Sequence, residues 1–554
     1  MSDGKQTLGS TLRRIVFCST PVALSSLLFL SACRSDSIPQ PAASATDAAP
    51  ATGDAYVEAS IADASYLNPL LASDSASGNI CSLVYNGLVK YDKDLRLVGD
   101  LAESWEVRSG GTEILFHLRP DVRWHDGAPF TADDVRFTYQ RLTDPAVKTP
   151  YGVDFELIRR VDVPDPHTVR VVYKEPFVPA LESWGMGIVP KHIFSAGDFN
   201  THPANRRPIG TGPYKFLEWK TDEKIVLTAN PDYFEGRPRL DRYIFRIIPD
   251  SSVQFLELRQ QSIDSMALTP DQFKAYPEFF RHYNKYRYPA FAYTYLGFNL
   301  ENPLFRDRRV RRAVALALDR SEIIDGVLLG VGRPATGPFP PTSWAFNPDV
   351  ADIPFDPVKA KALLATAGWT DTDGDGWLDR GGQKFEFTLM TNQGNKPREL
   401  CALILQNHLA KIGIRVQVRI LEWSSFLHNY VDKKRFDAVI LAWSLSRDPD
   451  QYSIWHSSQR KEGQYNFVGY ANREVDMLLE RGRREFDFEK RRALYHRMHA
   501  ILAEDLPYIF LYYPDSLPTI HTRFVGPEVA AAGIGWNFRE WFVPKSLQKY
   551  RYAS

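Results

Sequence analysis

Four aspartates, Asp371, Asp373, Asp375 and Asp379, surround Gly376 with the spacing of the first nine positions of a calcium-binding loop. Carboxylates at positions one, three and five of such a loop can converge on Ca²⁺, and the glycine permits its sharp turn. The twelfth position should supply a bidentate glutamate, and here it is Gly382. The stretch is therefore expected to be mainly a tight Asp/Gly turn, with any bound calcium structural. No other cofactor is expected. His496 and His499 share a helix face at i, i+3, but Arg491, Arg492 and Arg497 beside them point to a solvated surface rather than a metal site. Adjacent Asp133 and Asp134 point in different directions on any regular element, which makes them a poor acid–base pair. Gly210-Thr211-Gly212-Pro213-Tyr214 lacks the lysine and the helix entry of a phosphate cradle, so a structural turn is expected. With no His-Glu-x-x-His, Gly-x-Ser-x-Gly or Cys-x-x-Cys motif, catalytic residues are expected to be none.

Binding chemistry is better represented, between Asp437 and Tyr470. Asp437 to Trp443 reads as a buried strand, and Ser444 to Gln451 as the loop at its carboxyl end. Ligands of open α/β sheets sit at such ends. Trp443, Ser446, Asp448, Asp450, Trp455 and Asn466 are the candidate ligand contacts.

The N-terminus reads as a targeting segment. Lys5, Arg13 and Arg14 precede an apolar stretch, Ile15 to Leu30, that is shorter than a membrane span. It ends in Leu30-Ser31-Ala32-Cys33, which resembles the lipobox of bacterial lipoproteins and implies cleavage before Cys33 and acylation of its thiol. Arg34 to Asp54 has no aromatic residue and is rich in Ala, Pro, Ser, Thr and Asp, the composition of a flexible tether. Two or three acyl chains would hold more firmly than one. Residues 1–32 are thus expected to be a signal peptide, and 33–55 a lipid-anchored linker. Cys81 and Cys401 form no disulfide framework, and Cys401 in its apolar run is expected to be a buried thiol.

At 554 residues the chain should divide into two or three lobes. Lys+Arg and Asp+Glu are equal at 67 each, which leaves no basic field for nucleic acid. Helix and strand patterns interleave from Tyr56 onward, an α/β class. Asp307 is expected to N-cap a helix with Val310, Ala313, Val314, Ala317 and Leu318 inward and Arg308, Arg309, Arg311 and Arg312 in water. Asp356-Pro357 should start another, with Ala360, Leu363, Leu364 and Ala367 on one face and Gly368 as its stop. Strands are expected at 114–119 and 412–420.

A family resemblance runs through the same segments. Leu101-Ala102-Glu103-Ser104-Trp105, Phe116-His117-Leu118-Arg119, Trp124-His125-Asp126-Gly127 and Thr131-Ala132-Asp133-Asp134-Val135 come in that order. Gly210 to Tyr214, Val310-Arg311-Arg312-Ala313, Ala367-Gly368-Trp369, Asp448-Pro449-Asp450 and Val475-Asp476 follow. From about Tyr56 onward the chain resembles the extracellular solute-binding proteins of family 5. The resemblance implies a two-lobed periplasmic-binding-protein fold with a ligand cleft between the lobes and an extra subdomain inserted in lobe I. It places lobe I at 56–86, 206–290 and 511–554, the insertion at 87–205, and lobe II at 291–510. It implies a monomeric ABC-importer subunit, not an enzyme, lying in the periplasm or at the cell surface. Its partners would be a peptide or peptide-like solute, a membrane permease, and the membrane through the lipid anchor. A metal chelate, haem or opine-like solute remains an alternative, as does a sensory or chaperone-like lipoprotein without transport. In peptide-binding relatives an aspartate three residues after the tryptophan matching Trp443 pairs with the peptide's amino group. That place is Ser446 here, which implies a site without that salt bridge, favouring a blocked or non-peptide solute held by aromatic and neutral contacts.

Overall fold

The computed structural model describes residues 49–275 and 277–552. The signal segment, Cys33 and most of the tether lie outside the described residues. Two seven-stranded sheets and a four-stranded sheet organise the rest. The first sheet runs in the order 283–285, 518–521, 265–267, 55–60, 242–247, 224–229 and 214–220. In the second, the apolar strand Ala438–Ser444 lies parallel to Glu386–Asn392 and antiparallel to Ala292–Phe298, so both its edges are paired, and Ala438 to Leu441 are buried. Arg415–Leu421 flanks Glu386–Asn392, and Tyr508–Ser516 flanks Ala292–Phe298. Residues 102–173 supply the antiparallel four-stranded sheet.

One continuous core joins the first sheet to the four-stranded one, from Tyr56 and Phe245 through Leu101 to Phe116 and Val171. These two sheets therefore form one packed body. The second sheet has its own cores, one around Phe298, Leu389 and Leu405 and another around Tyr295, Val439 and Trp455. The chain passes between the bodies through residues 286–291 and 514–517, which lie side by side and antiparallel. Tyr283 to Pro289 pairs with Asp515 to His521, Tyr286 N donates to Pro518 O at 3.0 Å, and Ala290 N donates to Pro514 O at 3.1 Å. Arg287 and Asp515 form an ion pair of 2.6 Å there. The strand Tyr508–Ser516 runs across the 510/511 point where a lobe boundary was expected.

Local signals produced the elements they should. Asp307 caps Arg308–Leu316 by accepting from Arg309 N, and Asp356 caps Pro357–Thr366 by accepting from Lys359 N, with Gly368 at φ +85° beyond its end. The strand expected over 412–420 is Arg415–Leu421, because Ile412 ends the preceding helix. Gly210 and Gly212 make a turn pressed on the end of helix Ser75–Val84. A Cβ on Gly210 would stand 1.8 Å from Val84 O, so only glycine fits. Cys81 and Cys401 are both buried free thiols.

Three expectations are corrected. Arg311 does not face water: its guanidinium is buried and donates to the carbonyls of Phe305, Arg306, Asp505 and Leu506. His499 is fully buried against Phe339 and Phe346, accepts from Asn347 N at 3.1 Å, and is pushed down to about 4 by burial, so no solvated histidine pair exists. The end of the tether is also not loose. Asp54 is fully buried, its carboxylate accepts from the backbone of Ala55, Lys549 and Tyr550, and Ala55 already belongs to the first strand. Asp54 pairs with Arg523, which also binds both Asp264 oxygens at 3.0 and 2.8 Å. A short polar segment looks like linker by composition; a buried counter-charge 469 residues away ordered this one. Among the described residues no helix is long and apolar enough to cross a membrane.

Candidate functional site

The strand Ala438–Ser444 delivers Trp443 and then the loop through Gln451 to a cavity of about 550 Å³, within the range of small-solute sites. The first body contributes residues 72–75, Gly78, Tyr151, Asp154 and Glu182 to its wall, and the second contributes Tyr295, Arg398, Trp423, Trp443 and most of the 444–451 loop. The site is thus a cleft between the two bodies. Its floor is aromatic. Trp443 meets Tyr465 edge-on at 5.0 Å and donates from Nε1 to Tyr508 at 3.3 Å, while Tyr508 stacks on Tyr295 at 3.8 Å.

Of the six contacts expected from sequence, Trp443, Ser446, Asp448 and Asp450 line the cavity. Trp455 and Asn466 do not. Trp455 is wholly buried against Tyr470, Tyr508 and Phe510, with Nε1 bonded to Gln451 at 2.7 Å. Asn466 is equally buried and spends its amide on the backbone, donating to His456 O and Tyr470 O and accepting from Tyr470 N. Both hold the site's frame, and neither has surface left for a solute.

The two aspartates are already engaged. Asp448 receives both terminal nitrogens of Arg491, at 2.6 and 2.7 Å. Asp450 accepts from Arg483 Nε at 2.7 Å, and the same guanidinium reaches Asp154 of the facing body at 2.8 Å. Burial holds Asp154 and Asp450 above the usual carboxylate range, against the pull of Arg483. Arg484 adds an ion pair to Glu175 at 2.7 Å, so two consecutive arginines bridge the cleft edge.

Sequence reasoning missed four further charged groups on the wall: Asp74, which caps helix Ser75–Val84 through Ser77, Asp432, which meets His428 at 2.9 Å, and Arg398 and Glu182. Arg398, in the first turn of helix Lys396–Lys411, donates to Asn392 at 2.9 Å and has no carboxylate partner among the described residues. Burial depresses its pKa, with only Tyr512, Tyr295 and Cys401 opposing. Glu182, in the short helix Ala180–Ser183, has no ion-pair partner among the described residues. Burial first, then the nearby Asp448, pushes it up to about 7. The cleft is therefore not the neutral one that Ser446 implied. Neither residue carried a sequence signal, since each becomes notable only by what is absent around it in space.

The aspartate loop lies elsewhere and is exposed. Asp371, Asp373 and Asp375 offer oxygens within 4.8 Å of one another. The Lys384 ammonium stands 2.7 Å from Asp373 and 2.8 Å from Asp375, and Asp371 accepts from Gly374 N and Gly376 N. Asp379 is buried, accepts from Thr372, and lies 3.9 Å from the same Lys384 ammonium. Lysine and backbone supply the counter-charge a cation would bring. Melting curves with Ca²⁺ and with a chelator are expected to superimpose. Occupancy at a hundredfold excess over Kd would add ~2.7 kcal/mol, and a rise that Asp373→Ala abolishes would show a true calcium site.

Comparison with known proteins agrees with this architecture. The profile of the bacterial extracellular solute-binding proteins, family 5 Middle, matches residues 96–465. The oligopeptide-binding protein AppA of Bacillus subtilis is 38% identical over 530 residues, covering 94% of this chain and 97% of its own. Heme-binding protein A of Haemophilus influenzae is 29% identical over 520 residues, 87% and 91% of the two chains. Among solved structures, AppA in complex with a nonapeptide superimposes with a TM-score of 0.87 at 37% identity, over 90% of this chain and all of its own. NikZ from Campylobacter jejuni in complex with Ni(L-His) gives 0.81 at 29% identity, over 88% and 99%.

Proposed function

The chain belongs to family 5 of the bacterial extracellular solute-binding proteins, and from that premise we propose that it captures a peptide or peptide-like solute for an ABC importer. One observation carries the reading: a cavity between two bodies has an aromatic floor and, on its walls, the carboxylates of Glu182 and Asp74 and the guanidinium of Arg398, none of which has an ion-pair partner among the described residues. Burying a lone charge costs several kcal/mol, and a solute bearing the opposite charge removes that cost only in the complex. Peptides carry apolar side chains, a cation and an anion on one flexible chain, so they fit all three features. The relative solved with a nonapeptide is 37% identical over 90% of this chain, which supports the peptide class over haem or a nickel chelate.

The lobe assignment follows the same reading. The first and four-stranded sheets form lobe I with its insertion, and the second sheet forms lobe II. The 286–291 and 514–517 crossings are the hinge, and the loaded, closed form is what a membrane permease receives. A substrate-binding role gives the family no catalytic residues to supply. Native mass spectrometry of protein purified from its own host tests the solute class. Retained peptides are expected, and retained haem or a metal chelate would replace the peptide reading with that one.

Family 5 proteins act outside the cytoplasm, and we assign the membrane attachment to acylated Cys33. Cys33→Ser is expected to move the protein from the membrane pellet to the soluble fraction. Unchanged pelleting would sink the anchor.

A further inference from the structure

We propose that Glu182 is a specificity-determining residue whose carboxylate receives the ligand's ammonium group. This inference rests on the peptide reading and adds to it where the cation goes. In the relatives' pattern that task belongs to the loop after Trp443, where this chain has Ser446, a neutral hydroxyl on the cavity wall. The remaining acids of that loop are not free to substitute. Asp448 is held by both terminal nitrogens of Arg491, and Asp450 by Arg483, whose second terminal nitrogen binds Asp154. Moving Asp448 would strand the buried Arg491, and moving Asp450 would leave the buried Arg483 with Asp154 alone. Glu182 requires no such exchange. It lines the same cavity from the facing body and is in no ion pair among the described residues, whereas Asp74, the other such carboxylate on the wall, is spent on capping helix Ser75–Val84 through Ser77 N and Oγ.

The groups around Glu182 fit a cation. Asp448 and Asp450 add negative potential, Tyr91 hydrogen-bonds to Glu182, and Arg447 is an opposing charge within electrostatic reach. Arg447 is turned elsewhere, donating to Ala531 O at 3.0 Å with its guanidinium over the Phe291 ring. A ligand ammonium would add a cationic donor to the neutral ones, Tyr91 and the Asp448 backbone, that Glu182 now has. It would also relieve the carboxylate of the burial and repulsion that favour its protonated form.

The sign of the pH dependence follows. Unliganded Glu182 is pushed up to about 7, so below that pH an incoming ammonium must displace its proton. Affinity for amines should therefore rise by about tenfold or more between about pH 5.5 and 7.5, with proton release on binding. The α-amino group stays largely protonated there, since its own pKa is about 8.

The test is titration calorimetry of the full chain with a mixed tri- to nonapeptide library, once with free amino termini and once N-acetylated. The parent should bind the free library about tenfold to a hundredfold more tightly. Glu182→Gln should erase that preference and the pH dependence, leave the acetylated affinity unchanged, and melt like the parent. Glu182→Asp should retain part of the preference. Arg398→Gln serves as the contrast and should weaken both libraries alike. A preference for free peptides that survives Glu182→Gln overturns the assignment, as does a parent that binds both libraries equally. A parent that binds neither library overturns the peptide reading, and the assignment with it.

Discussion

Arg523→Ala is expected to lower folding stability by about 3–5 kcal/mol, the usual loss when one member of a buried ion network is removed. Arg523 is almost wholly buried, as are Asp54 and Asp264. Its guanidinium binds Asp264 twice, pairs with Asp54 and donates to Ala55 O. Asp264 in turn accepts from Val57 N, and Asp54 from Lys549 N and Tyr550 N. One side chain thereby fastens the first strand, the turn before the 265–267 strand and the C-terminal segment. Truncation leaves two carboxylates facing each other, with the Lys549 ammonium acting on them from beyond ion-pair distance. Arg523→Lys keeps the charge but loses the fork and should recover only part of the loss. Urea unfolding followed by tryptophan fluorescence measures this. A shift worth less than about 1 kcal/mol would mean that the network is structurally idle.

Arg398→Gln should have opposite effects on two measurements. Its charge is half-buried on the cavity wall with Asn392 as its one side-chain hydrogen-bond partner among the described residues, so removing it should leave the unliganded protein as stable as the parent or slightly more so. Binding should suffer, because a ligand carboxylate then meets an amide where a guanidinium stood. Loss of one partner of a buried charge pair costs about 2–5 kcal/mol, or at least about thirtyfold in Kd. The measurements are a melting curve without ligand and a titration with the peptide recovered from the native protein. Unchanged affinity would remove Arg398 from the site, and a large fall in melting temperature would make it structural instead.

What the chain disclosed before folding was chiefly what neighbours in sequence decide. Asp307 and Asp356 cap helices because a cap needs only the next three residues, and Gly368 stops one because its left-handed backbone is local. The ordered motifs disclosed the family, and the strand ending at Trp443 disclosed the cavity's address. Burial was harder to read. Trp455 and Asn466 lie in the right stretch, yet that short segment turns both inward, and a chain that reverses so tightly offers no period from which to tell wall from frame. Arg311 and His499 failed for a related reason, since arginine and histidine look solvated until distant carbonyls or rings enclose them. Glu182 and Arg398 were invisible because their significance lies in charges that are not beside them.

The paired crossings at 286–291 and 514–517 have a mechanical consequence. A two-stranded ribbon can bend and twist, but its ladder resists sliding one strand along the other. The bodies it joins can therefore swing apart yet cannot drift out of alignment lengthwise. On the hinge proposed above, closure would return Arg483 to Asp154 and Glu182 to the loop it faces. The relative orientation of the bodies would then report an occupied cleft to a permease that never touches the cargo.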